Sequence, residues 1–154
     1  MNDRDSEEIL GMLTAHGYTL AEKEKDADLI LLNTCSVREH AEERAFGKMG
    51  LMQKLKEENP NLVLGILGCM AKAQREEIFR RLPQVDLVAG PAEIYDLPDL
   101  LAKIAEKRQR DPGPARVLAI DRTVRPLDRR SAIDYRRGQV IAFVTIMELS
   151  LIHI

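Results

Sequence analysis

Cysteine is scarce in this chain, with two residues in 154, too few for a disulfide framework. Tryptophan is absent and aromatic residues make up 4%. The few aromatics are not interleaved with the basic residues, so no stacking platform for single-stranded nucleic acid is indicated. Long apolar runs are missing too: stretches such as residues 29–32 and residues 140–147, the latter interrupted by Thr145, fall far short of the roughly 20 residues that span a bilayer. The start, Met-Asn-Asp-Arg-Asp-Ser-Glu-Glu, has neither a basic region nor an apolar one behind it, so it is not a secretory signal. A cytoplasmic, reducing location and no contact with a membrane are expected. The glycines form no G-x-G-x-x-G or Walker pattern.

What is present is the composition of a globular domain, 45% hydrophobic and 31% charged, which excludes wholesale disorder and collagen-like or coiled-coil architectures. The net charge of −2 conceals an asymmetry. Residues 1–60 hold 13 acidic and 8 basic side chains, whereas residues 107–137 hold 4 acidic and 10 basic. Such a basic stretch is suited either to nucleic-acid phosphate or to a solvated linker.

The order of elements is legible from periodicity. A helix is expected to open at Asp5, with Ile9, Leu10 and Leu13 as its apolar stripe and Gly17 as its C-terminal cap. Residues 29–32 are a continuous apolar run, the pattern of a strand buried on both faces. A turn is expected at residues 33–36. Val37, Ala41, Ala45, Met49, Met52 and Leu55 then mark one long amphipathic helix that ends before Pro60. The pattern repeats with a second strand at residues 62–67, a turn at 68–70 and a helix stopped by Pro83. A third strand at residues 85–89 follows, and a last helix carries Ile94, Leu97, Leu101 and Ile104, with a break expected near Pro98. Alternating strands and helices specify an α/β fold: an open parallel sheet, doubly wound, with flanking helices. The domain is expected to end at residue 110. Residues 111–139 have the composition of a basic, proline-containing linker, and residues 140–148 read as the first strand of a further domain.

Cys35 and Cys69 each follow a predicted parallel strand and precede a helix. In an open α/β sheet such loops share one edge, where ligands bind. Thiolates there suit metal or iron–sulfur ligation, or redox chemistry; a small buried hydrophobe is the competing reading of each cysteine. A thiol-redox domain ranks last, because C-x-x-C is absent. His16 and His40 sit among polar neighbours as surface residues. The acidic pairs at residues 7–8, 42–43 and 76–77 read as solvated helix faces, and the methionines as packing.

At Asn33-Thr34-Cys35-Ser36-Val37-Arg38-Glu39 and Gly68-Cys69-Met70-Ala71 the sequence closely resembles the N-terminal domain of the methylthiotransferase family of radical S-adenosylmethionine enzymes. Further matches occur in order at Met1-Asn2, Asp5-Ser6-Glu7, Gly17-Tyr18, Ala27-Asp28, Pro83-Gln84-Val85-Asp86 and residues 140–148. The resemblance implies that Cys35 and Cys69 are two of three cysteines holding an auxiliary 4Fe-4S cluster that supplies sulfur, and it sets that role above the buried-thiol reading. It also implies a second 4Fe-4S cluster and S-adenosylmethionine in a central barrel, and an RNA-binding C-terminal domain, all beyond this chain. Two branches differ in substrate, isopentenylated adenosine beside the tRNA anticodon or an aspartate of a ribosomal protein. Ser36-Val37-Arg38-Glu39 resembles the tRNA branch. A non-catalytic α/β module that binds RNA or protein is the alternative from another class.

The sequence departs from the family pattern at both ends. A first strand with Gly-Cys-Gln does not precede Met1, so the chain is expected to be truncated and its sheet to lack a central strand, with poor stability as the result. The radical motif does not follow Glu148. Residues 149–154 are expected to be an artefactual tail in which His153 has no function. The expected assignment is thus residues 1–110 as the auxiliary-cluster domain, 111–139 as linker, 140–148 as a barrel strand and 149–154 as tail, in a monomer that is catalytically incompetent alone.

Overall fold

A computed structural model describes residues 2–34 and 39–121. The elements run in the order α1 (Asn2–Ala15), β1 (Leu29–Thr34), α2 (Glu39–Leu51), α3 (Gln53–Glu58), β2 (Val63–Gly68), α4 (Cys69–Gln74), α5 (Glu77–Arg81), β3 (Leu87–Ala89), α6 (Leu97–Arg110) and β4 (Val117–Ala119). Single 3₁₀ turns lie at Glu24–Asp26 and Glu93–Asp96. The four strands form one parallel sheet in the order β1-β2-β3-β4. No described helix is long and apolar enough to cross a membrane.

Helices cover both faces of this sheet, which is why its strands are apolar at consecutive positions rather than alternate ones. Ile30, Leu32, Leu64, Ile66 and Val88 face one layer, built from Ala45, Phe46, Met49, Met70, Ala71 and Ile78. Leu29, Leu31, Leu67, Leu87 and Val117 face the other, where Ile9 and Leu13 of α1 meet Leu97, Leu100, Leu101 and Ile104 of α6. Each such side chain contributes about 1.5–3 kcal/mol by leaving water. Gly17, at φ +88, closes α1 as its spacing foretold, and the Tyr18 N–H reaches back to the Leu13 carbonyl.

Four features differ from the sequence reading. Strand β1 runs on through Asn33 and Thr34, residues expected in a turn. Both are buried, and the Thr34 hydroxyl is satisfied inside the sheet by donating to the Leu67 carbonyl at 3.1 Å. The expected long helix is two, α2 and α3, separated at Met52. Pro98 does not break α6; it stands in the first turn, where no N–H is required of it. The fourth difference moves the domain boundary: Val117–Ala119 pairs with β3 as an edge strand, so the sheet continues past residue 110 into what composition marked as linker. Among the described residues β1 and β2 are bonded directly along their whole length. Residues 140–148 and the tail lie outside the described residues.

The fourth strand is fastened by one carboxylate. Asp86, fully buried immediately before β3, accepts the Leu64 N–H at 3.0 Å and the Ala115 N–H at 3.0 Å. It also accepts Arg108 Nη2 at 2.9 Å and the Lys56 ammonium. Its main chain adds two bonds, donating to the Leu64 carbonyl at 2.8 Å and accepting the Val117 N–H at 2.7 Å. Burial lowers the Lys56 pKa from its ordinary value even against the pull of Asp86. Arg116, between the two residues bonded to Asp86, is held at φ +48, a left-handed conformation unusual for arginine.

Gly68 makes the last pair of the β1–β2 ladder, opposite Thr34, at φ +96 and ψ −159. That region is open essentially to glycine alone. A Cβ here would fall on the Thr34 carbonyl oxygen and lie 2.7 Å from Asn33 Oδ1.

Two stability measurements follow from these contacts. Asp86→Ala leaves buried cations and amides uncompensated and should cost about 3–5 kcal/mol in urea unfolding, whereas Lys56→Met, which also removes a desolvated charge, should cost about 1 kcal/mol. Equal losses would show that the carboxylate is not the hub. Gly68→Ala should cost at least about 2 kcal/mol, while Gly47→Ala, in open space on α2, should be neutral or stabilising by up to about 1 kcal/mol.

Candidate functional site

The C-terminal edge of the sheet gathers the ends of β1, β2 and β3. Parallel pairing makes this unavoidable, since every strand points the same way. The register of β1 and β2 runs from Leu29↔Val63 to Thr34↔Gly68. Each member of that final pair is followed directly by a cysteine, Cys35 after Thr34 and Cys69 after Gly68. Neighbouring strands lie about 4.8 Å apart, so the ladder delivers the two residues preceding the thiols side by side.

Cys69 is exposed and is the first residue of α4. The sequence placed it in a turn; instead the strand passes into the helix with no intervening residue, because Gly68 makes the change of direction within one residue. Met70 and Ala71, which follow, are fully buried and anchor that helix to the sheet. Cys35 lies outside the described residues. Among the described residues no group of three or more His, Cys, Asp or Glu is placed to hold a metal ion.

The soft thiolate chemistry of the cysteine at this edge fits an iron–sulfur ligand. Two thiols are all that the whole sequence contains, so they can supply part of a cluster's ligand set and not all of it. The histidines do not add to it. His40 is exposed, and the half-buried His16 places Nδ1 2.7 Å from the Met12 carbonyl one turn back in α1. The acidic pairs on the helices are engaged at the surface: Glu42 accepts from Gln74 at 2.9 Å, Glu43 pairs with Arg81 at 3.5 Å and Glu77 with Arg80 at 3.1 Å.

Sequence reasoning overlooked Glu93. It is 5% exposed, in the 3₁₀ turn after β3, with its carboxylate against Gly90 at the same edge of the sheet. Next to it the Tyr95 hydroxyl donates to Glu8 Oε2 at 2.7 Å and so ties this edge to α1. A glutamate beside a predicted strand end looks like any polar loop residue, and only the glycine at position 90, leaving room for it, hints at its burial.

Comparison with known proteins agrees with this architecture. Residues 1–90 match the profile of the uncharacterized protein family UPF0004. A tRNA-2-methylthio-N(6)-dimethylallyladenosine synthase of Dictyoglomus thermophilum is 50% identical over 109 residues, 71% of this chain and 25% of that protein. Proteins of the same name from Roseobacter denitrificans and Bordetella pertussis are 40% and 42% identical over 151 and 150 residues, each match covering 96% of this chain and 32% of the relative. The chain therefore spans about a quarter to a third of the length of the curated relatives it matches. A parallel sheet ending in paired strands that each run into a cysteine, together with these matches, makes the chain a member of family UPF0004, the N-terminal domain of methylthiotransferases.

Proposed function

We propose that this chain is the N-terminal part of a tRNA methylthiotransferase that adds a 2-methylthio group to N6-isopentenyladenosine beside the anticodon. In this reading Cys35 and Cys69 are cluster ligands in its auxiliary domain. The observation that carries it is the terminal pair Thr34↔Gly68, which brings the residues before both cysteines together at one sheet edge. The names of the relatives point to the substrate, a dimethylallyladenosine of tRNA. The preference for tRNA over a ribosomal-protein aspartate rests on those names and on Ser36-Val37-Arg38-Glu39. The parent enzyme would act as a monomer in the cytoplasm.

Cys35 and Cys69 would hold part of a 4Fe-4S cluster, which would supply an iron able to take an additional sulfur. The protein's part is positional. Cys69 presents its side chain to solvent at the mouth of the sheet, and Gly68 keeps β2 bonded to β1 up to the residue before it. The buried Asn33 and Thr34 close the end of β1 beneath. In this reading a third ligand to the auxiliary cluster and the radical-generating cluster with its S-adenosylmethionine would come from the rest of a longer parent, and residues 140–148 would begin the barrel.

After anaerobic reconstitution with iron and sulfide, the chain should bind iron and show thiolate-to-iron absorbance in the visible. Cys35→Ser and Cys69→Ser should each lower the iron content severalfold. Full iron retention by the double variant would overturn the assignment and favour the non-catalytic module. The isolated chain should give no methylthiolation when incubated with tRNA and S-adenosylmethionine, because two cysteines cannot serve both clusters; product detected by nucleoside mass spectrometry would refute this.

A further inference from the structure

Helix α6 and the edge strand β4 enclose an open cleft of about 290 Å³. Lys103, Lys107 and Arg110 line it from one face of the helix, and Arg116 from the turn that leads into β4. Glu106 is the single carboxylate in the lining, and it is held by Arg110 at 2.7 Å. Lys107 donates to the Ala115 carbonyl at 3.3 Å. Along the helix axis the three cations stand about 6 and 4.5 Å apart, at 1.5 Å per residue. They make a row with Arg116 opposite.

Elsewhere the surface neutralises many of its cations. Lys48 pairs with Glu24, Arg80 with Glu77 and Arg81 with Glu43, while Lys56 and Arg108 are consumed by Asp86. Lys103, Lys107 and Arg116 have no ion pair among the described residues. The helix dipole accounts for cations in the last turn of α6, Lys107 and Arg110. Lys103, two turns earlier, stands between this cleft and a neighbouring one that holds Glu93, Asp96, Asp99 and Asp121, whereas Arg116 lies beyond the helix and the dipole does not account for it. Arg116 is moreover kept in its left-handed conformation by the bonds that Ala115 and Val117 make to Asp86, and strain of this kind concentrates at functional positions.

We infer that this cleft is a docking surface for the phosphate backbone of RNA. It goes beyond the cluster reading and needs neither cysteine. The row of cations follows a polyanion, and no aromatic residue lines the cleft on which a base could stack, so the contact positions the RNA and does not read its sequence. An acidic protein partner would bring apolar anchors to its interface, and here the apolar lining is confined to Val117 and Leu118.

The test is fluorescence anisotropy of a labelled tRNA transcript with the full 154-residue chain across a range of potassium chloride concentrations. The triple variant K103A/K107A/R116A should bind at least tenfold more weakly. The slope of log affinity against log salt should fall by about two to three, because each lost phosphate contact removes roughly 0.7–0.9. The control K23A/K25A/K54A removes as many exposed charges elsewhere and should leave both quantities unchanged. Equal losses in the two triple variants, unchanged binding in K103A/K107A/R116A, or displacement of the RNA by polyglutamate at equal charge would each overturn the inference. C35S/C69S should bind RNA as the parent does, which separates this surface from the fate of the cluster assignment.

Discussion

A single buried carboxylate holds the sheet together at its N-terminal end. Asp86 reaches into four segments at once: the start of β2 through Leu64, α3 through Lys56, α6 through Arg108 and the approach to β4 through Ala115. An isolated buried charge would be intolerable, and an isolated pair would barely recover its desolvation. Here two cations and two amides converge on the same two oxygens, so the charge is compensated from every side. The main-chain bonds of the same residue link β2 and β4 across β3. A three-residue edge strand would otherwise have little to keep it in place.

The opposite end of the sheet is organised by the absence of a side chain. Because Gly68 is glycine, β2 stays in contact with β1 to its last residue and enters α4 at once. Structural tightness at one end and chemical exposure at the other are consequences of one parallel topology. The N-terminal ends are closed by charges and capped by Arg108, which also bonds the Leu62 carbonyl at 2.8 Å. The C-terminal ends are left to loops and helix starts, where an exposed thiol can meet a ligand.

Much of this was written in the sequence, and the portions that were not have identifiable reasons. The apolar runs at residues 29–32 and 62–67 announced strands covered on both faces, and the alternation with helical stripes announced a parallel sheet. Gly17 announced its cap. The motifs around Cys35 and Cys69 carried the family, and the matched relatives agree with it. Hidden from such a reading was anything that depends on a partner distant along the chain. Val117–Ala119 is too short and too close to prolines to be seen as a strand, and it becomes one only because Asp86 and β3 supply its bonds. Asn33 and Thr34 look like turn formers, yet in a parallel ladder the threonine hydroxyl finds a carbonyl 33 residues away. Pro98 reads as a breaker until its place in the first turn is known. Glu93 gave no signal, since burial of a carboxylate beside a glycine is a tertiary fact.

The parallel orientation of β4 also fixes where the polypeptide departs. An antiparallel fourth strand would have sent the following residues away from the end of the sheet that bears the cysteines. As built, the chain reaches Ile120 and Asp121 at that same end, two strand positions from Gly68, a separation of about 10 Å at the usual spacing. The described chain therefore ends at the same edge of the sheet as the exposed Cys69, with β3 between their strands.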